Sequence, residues 1–367
     1  MRSLLITISS SLCGRSQSVY AKNAHIQFTR RWVNHGRKGK ARLCVEHAEF
    51  LDMVQDYGEG SIEYRVVDSS SADSRVQVVE LTLCNEPKKN AMSGRMMAQL
   101  ADYLDSLLLD RERVSGQLPV MGIILRGQGS TFCAGADLSL VGEVLNTSER
   151  GLMMSRFMTD ALTRLRNSSL VSLSLLNGPA VGGGAELCTA TDFRLMVDDG
   201  EKRNHVRFIH AKLGASPGWG GAHRLQSIVG RSQALRLLGG SPRVTPQQAA
   251  AMGLVDQVIT LGPSGTNSSS SSSISSVKSS SSGQSTPTAP GLAHAVDVSP
   301  DEGLLAALHF LQPFTSQPYP DAVFAMKDLV VQGETAPPDA AMAHEQRLFG
   351  QRWASADHRD ASRTPDK

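Results

Sequence analysis

The stretch NGPAVGGGAELCTA, Asn177 to Ala190, runs from an apolar segment into a helix-forming one through three consecutive glycines, Gly182 to Gly184. A single acid, Glu186, follows two residues later. Glycines at such a junction let backbone N–H groups approach a ligand closely, either to cradle a phosphate or to stabilise negative charge developing on an oxygen. The spacing is neither GxGxxG nor GxxxxGK(S/T), which disfavours the phosphate cradle. Tight packing of a helix on a strand is the structural alternative for the same glycines. A second small-residue loop, within GQGSTFCAGADLSLV (Gly127 to Val141), follows the apolar run MGIILR. Two loops at the ends of parallel strands can aim one N–H each at a single oxygen. Such a pair is an oxyanion hole, and removing one donor typically costs ~3 kcal/mol of barrier lowering.

The surrounding elements have to hold these loops. RVQVVELTL (Arg75 to Leu83) alternates as a strand, while VMGIILRG (Val120 to Gly127) and LVSLSLLNG (Leu170 to Gly178) read as buried strands. SGRMMAQLADYLDSLLLD (Ser93 to Asp110) has helical spacing and opens on Ser93. Strands alternating with helices predict an α/β fold built from βαβ units. TPQQAAAMG predicts a helix with Thr245 as N-cap, Pro246 in the first turn, Gln248 closing a capping box and Gly253 as the stop. SPDEGLLAALHFL predicts the same device on Ser299, Pro300 and Glu302.

The 367 residues carry a formal charge of +2, unevenly spread. Residues 1–45 hold nine Lys/Arg and no acid, leaving 28 Lys/Arg against 35 Asp/Glu, a net of −7, on the rest. That balance argues against general nucleic-acid binding. The five cysteines form no CxxC pair, so neither a disulfide frame nor a zinc site is expected. No apolar run approaches the ~20 residues of a membrane span. The Arg- and Ser-rich start is compatible with a mitochondrial presequence or with a disordered leader.

Five ordered motifs together resemble the enoyl-CoA hydratase/isomerase (crotonase) superfamily over about residues 62–260: CNEPKKNAMS (Cys84 to Ser93), FCAGADL (Phe132 to Leu138), NGPAVGGGAELCTATDFRL (Asn177 to Leu195), LGASPGWGGAHRLQSIVG (Leu213 to Gly230) and TPQQAAAMGLVDQVI (Thr245 to Ile259). The resemblance implies an α/β fold, the crotonase (ClpP-like) spiral of ββα units with a C-terminal helical region. The chain then divides into a leader over 1–55, disordered or presequence-like, a core over 56–261, a Ser-rich flexible insertion over 262–298 and a helical region over 299–367. It further implies an acyl-CoA substrate, no cofactor beyond the coenzyme A of the substrate, no nucleic-acid or membrane partner, and a homotrimer or homohexamer.

By the same resemblance, the N–H groups of Ala136 and Gly183 hold the thioester oxygen. Ala134, Asp137, Leu138, Gly182 and Lys88 contact the substrate, with Lys88, Lys89 and Lys327 as candidate phosphate partners. Hydratases of the superfamily use two glutamates. Glu186 matches the first, but His210 in VRFIHAKLG stands where the second is expected. His210, Trp219 in SPGWGG and NAMSGRMMAQL resemble a decarboxylating branch acting on alkylmalonyl-CoA thioesters such as ethylmalonyl-CoA and methylmalonyl-CoA, a carboxy-lyase that removes side products of fatty-acid metabolism in the cytosol. The leader leaves the mitochondrion open as an alternative. Loss of CO2 sends its electrons into the thioester carbonyl, where an oxyanion hole stabilises them. The expectation is therefore catalysis by Ala136, Gly183, Glu186 and His210, with Trp219 as an apolar wall. Whether His210 or Glu186 supplies the proton is open from sequence. A hydratase/isomerase using Glu186 as base and a non-catalytic, RNA-binding member of the fold are the alternatives.

Overall fold

The computed structural model describes residues 38–67, 76–109, 118–198, 200, 203–260 and 301–363. Of the leader expected over 1–55, residues 1–37 lie outside the described residues, while Lys38–Val54 is a helix, α1, ahead of the core. Phe50 and Val54 on it are fully buried, and the Phe50 ring lies 4.9 Å from that of Phe157. The insertion expected over 262–298 also lies outside the described residues.

The core is a six-stranded sheet in the order β1 (Ser61–Val67), β2 (Gln77–Cys84), β3 (Val120–Gly127), β4 (Val171–Leu176), β6 (Phe193–Asp198), β8 (Gln257–Thr260). β1 and β2 are antiparallel and every later pair is parallel. A small parallel pair, β5 (Ala180–Val181) and β7 (Val206–Arg207), lies apart from it. β3 is apolar from Met121 to Leu125 apart from Gly122, and β4 is buried at every position, Ser172 and Ser174 included, because parallel strands are covered on both faces. Ile123 and Leu125 point to one side, where α2 (Gly94–Leu109) and α4 (Ser148–Arg166) pack with Met96, Leu100 and Leu162. Ile124, Leu173 and Leu175 point to the other, meeting Leu304, Ala307 and Leu311 of α8 (Glu302–Thr315). Each fully buried Leu, Ile or Met side chain among these contributes roughly 1.5–3 kcal/mol.

The local signals of the sequence act at the element ends. Ser93 Oγ accepts from Met96 N–H at 3.2 Å, opening α2. Thr245 and Gln248 form the expected reciprocal capping box on α7 (Pro246–Ala251), the helix that follows α6 (Gly221–Gly240). The start of α8 differs from expectation: its N-cap is Asp301, which accepts from Leu304 N–H at 2.8 Å, and Ser299 lies outside the described residues. Asp301 also pairs with Arg126 of β3 at 2.5 Å, so a tertiary ion pair fixes the cap two residues on. α9 (Pro320–Thr335), α10 (Pro338–Arg352) and α11 (Ala356–Arg363) complete the C-terminal helical region. Among the described residues no helix is long and apolar enough to cross a membrane.

Candidate active site

The two glycine-rich loops are stitched to each other. Phe132 and Cys133 N–H both donate to Pro179 O at 3.2 Å, and Val181 N–H donates to Cys133 O at 2.9 Å. Asn177, at the end of β4, donates to Gly127 O and Gly129 O at 2.8 and 2.7 Å and accepts from Gly127 N–H at 3.0 Å. From the other side, Asn90 donates to Gln128 O and Thr131 O at 2.8 and 2.7 Å. Met92 N–H donates to Gly135 O at 2.7 Å, and Asp137 N–H donates to Met92 O at 3.0 Å. Ala136 lies between those two bonds, and among the described residues its own N–H has no acceptor.

The same is true of Gly183 N–H, at the first residue of α5 (Gly183–Cys188), where a helix leaves its leading donors unpaired. A Cβ on Gly135 would lie 3.0 Å from Gly183 N, so the two loops touch at this point. Each glycine of the triplet has its own reason. Gly182 has φ +57° and ψ −123°, which side-chain-bearing residues rarely adopt. A Cβ on Gly184 would sit 2.1 Å from Cys133 O. A Cβ on Gly183 would fall 2.6–2.9 Å from three ring carbons of Trp219, which is 2% exposed.

Glu186 is one turn further along α5 and 1% exposed. Its Oε1 accepts from Gly218 N–H at 3.1 Å, and its Oε2 from Trp219 and Gly221 N–H at 2.8 and 2.9 Å. His210 Nε2 is 3.0 Å from Oε1. Four donors thus converge on one carboxylate. The opposite nitrogen, His210 Nδ1, is buried with no partner among the described residues. Behind them, buried Arg224 donates to Thr189 Oγ1, Glu186 O and Trp219 O at 3.1, 3.3 and 2.5 Å. Burial pushes the Arg224 guanidinium down to about 10, against the opposing pull of Glu186.

The structure brings Ala136, Gly182, Gly183, Glu186, His210 and Trp219 into one region of the fold. Around them, Ala134 N–H donates to Lys89 O at 3.0 Å, and Leu138 stands 77% exposed at the loop's edge. Asp137 caps α3 (Leu138–Glu143) by accepting from Ser139 N–H and pairs with Lys88 at 2.8 Å. Burial pushes the Asp137 carboxyl up, but Lys88 and the Ser139 N–H outweigh it and hold it below the usual carboxylate range.

Lys327 is placed differently from a phosphate partner. Its ammonium is ion-paired with Asp192, with only 9% of the side chain exposed, and burial lowers its pKa. Asp192 Oδ2 in turn accepts from Ser172 N–H and Oγ, tying α9 to β4. Lys89, a phosphate candidate from the sequence, lines a basic cleft of about 480 Å³ beside Ala134 and Val181, and the sequence reading did not point to the Arg203, His205, Arg207 and Arg243 that join it there. The alternation of Arg203, His205 and Arg207 is its sequence signal, because every second residue of extended chain faces one way.

A model of the enoyl-CoA hydratase/isomerase family matches residues 73–262. The chain is 34% identical over 287 residues to an ethylmalonyl-CoA decarboxylase of Xenopus laevis, covering 78% of this chain and 79% of that one. It is also 34% identical over 295 residues to one of Danio rerio, covering 80% of each. An enoyl-CoA hydratase from Bacillus anthracis superposes with a TM-score of 0.61 at 20% identity, over 83% of this chain and 95% of that chain. With its ordered motifs, parallel sheet and stitched glycine loops, the chain belongs to the enoyl-CoA hydratase/isomerase (crotonase) family.

Proposed function

We propose that this chain is a carboxy-lyase that releases CO2 from alkylmalonyl-CoA, with ethylmalonyl-CoA and methylmalonyl-CoA as substrates. The names of its relatives at 34% identity support that substrate class. The observation that carries the reading is the Glu186 carboxylate, whose two oxygens already accept three backbone N–H groups beside the His210 contact. Adding water to an enoyl thioester requires a general base with a free lone pair and a second acid–base group to match. The position of that second carboxylate is His210.

Decarboxylation requires less of the side chains. The thioester oxygen sits between Ala136 and Gly183 N–H, and the substrate carboxylate lies where the Cα–CO2 bond overlaps the carbonyl π system. The buried Trp219 ring against Gly183 excludes water from that volume. Charge left behind by CO2 enters the carbonyl as an enolate, and two fixed amides stabilise it without metal or organic cofactor. The basic cleft beside Ala134 receives the phosphates of coenzyme A, and Leu138 covers the pantetheine arm. The chain assembles as a homotrimer or homohexamer, and the exposed Met326, Val330, Phe349 and Trp353 of the C-terminal helices supply apolar surface for contacts between copies.

Malonyl-, methylmalonyl-, ethylmalonyl- and crotonyl-CoA offered side by side to the purified chain test the assignment. CO2 release from ethylmalonyl-CoA is expected to lead. Hydration of crotonyl-CoA without CO2 release from any malonyl thioester refutes it.

A further inference from the structure

The reaction needs one proton at the α-carbon, and the side chains around Gly183 differ in what they have left to give. Glu186 is saturated by its four donors. Ser155 and Thr159 spend their hydroxyls on Gly218 O at 2.5 and 3.2 Å, and Thr189 spends its own on Glu186 O at 2.6 Å. Arg224 is engaged by three acceptors. His210 Nδ1 alone in this group is buried and unpartnered, an exception among buried polar atoms that points to a role.

Its position fits that role. Ile209, the preceding residue, packs against the Gly182–Gly183 turn, with its Cγ2 3.5 Å from where a Cβ on Gly182 would stand. The imidazole itself is pinned one helical turn along, at Glu186. Three of Glu186's four partners belong to the 218–221 turn that also carries Trp219, so one carboxylate locks the ring of His210 and the apolar wall in a fixed relation.

Resting on the decarboxylase reading, we infer that His210 is the proton donor to the α-carbon and that Glu186 is a positioning residue that carries no proton in the reaction. As the Cα–CO2 bond breaks, its electron pair enters the thioester as an enolate and CO2 departs. The Nδ1–H proton of the His210 imidazolium then moves to Cα as the enolate collapses to the acyl thioester. His210 is left neutral, its Nε2–H still donating to Glu186 Oε1, and solvent returns the proton to Nδ1. The carboxylate stays ionised throughout, acting as the orienting acid does behind a catalytic histidine.

Turnover of ethylmalonyl-CoA in deuterium oxide separates the two residues through the configuration of deuterium at C2 of the product. The wild-type chain places it on one face. His210→Asn is expected to lower turnover about a hundredfold, the usual scale of a lost general acid, and to scramble C2. Glu186→Gln, compared at equal folded fraction by circular dichroism, is expected to slow turnover yet keep deuterium on the wild-type face. The reverse pattern, with C2 scrambled in Glu186→Gln and intact in His210→Asn, overturns the assignment. Intact configuration at undiminished rate in His210→Asn overturns it equally, whether or not Glu186→Gln folds. A wild-type chain that releases no CO2 refutes the decarboxylase reading instead, a distinct result.

Discussion

Gly183→Ala puts two consequences of one position to the test. The added methyl would lie 2.6, 2.7 and 2.9 Å from Trp219 Cζ3, Cη2 and Cε3, whereas carbon atoms rest about 3.5–4.0 Å apart. The indole is closed in at 2% exposure, so ring or helix start must shift by roughly 1 Å. Overpacking of that kind costs about 1–3 kcal/mol. For a domain of this size 1 kcal/mol moves Tm by roughly 2–4 °C, which gives a fall of about 2–12 °C. In the proposed donor role, the same shift pulls Gly183 N–H away from the thioester oxygen, and a lost oxyanion donor lowers turnover by roughly 10²–10³-fold. Trp219→Leu in the same background removes the three contact atoms. The double variant is therefore expected to regain stability and part of the rate, with a coupling of about 0.5–3 kcal/mol. Differential scanning fluorimetry and CO2 release read the two effects separately. A Gly183→Ala chain with wild-type Tm and wild-type turnover refutes both the packing argument and the donor role.

Asp192→Asn leaves the buried Lys327 ammonium without its partner and is expected to cost about 3–5 kcal/mol in urea unfolding, much of it restored by Lys327→Met in the same chain. A rise in KM for the CoA thioester in Lys327→Met alone would place Lys327 on the substrate and refute the clamp. Asp137, held below the usual carboxylate range, contributes stability that is present above its unfolded pKa of about 4 and is lost as pH falls through the lower folded value. The partly exposed pair with Lys88 limits that contribution to about 1 kcal/mol or less. The gap in urea midpoint between wild type and Asp137→Asn should accordingly close on acidification; a gap constant from neutral to strongly acidic pH contradicts the assignment.

Local chemistry made much of this molecule legible. Val120 to Gly127 reads as a strand because its apolar run is buried on both faces, and it is a strand over that span. Thr245 and Gln248 cap one helix because the device needs only four residues of chain. Legibility fails where partners are distant in sequence. Asp301 takes over the cap of α8 through Arg126, 175 residues away, which no local pattern contains. Lys327 looks like a free surface cation until Asp192 is found 135 residues upstream. The motif SPGWGG announces a turn, but not that the N–H groups of Gly218, Trp219 and Gly221 all converge on Glu186.

That convergence explains how a family frame built around a catalytic acid can host a reaction with a different proton carrier. A glutamate at the start of α5 is useful as a base only while one of its lone pairs faces the substrate. Here the turn bends back over it: a Cβ on Gly221 would lie 2.4 Å from Glu186 Cγ, so backbone rather than solvent covers the side chain. The Trp219 and Gly221 amides satisfied in this way are buried donors that would each cost about 1–3 kcal/mol if orphaned. The carboxylate is therefore bound into the fold of the 218–221 segment and has little freedom to move with the substrate. The position opposite must then supply a group that can be oriented through one atom and react through another. Imidazole has two nitrogens and meets that requirement; a second carboxylate would face Glu186 as a like charge in a buried site. A histidine at position 210 suits a saturated Glu186, and the proposed backbone pair at Ala136 and Gly183 asks nothing further of either side chain.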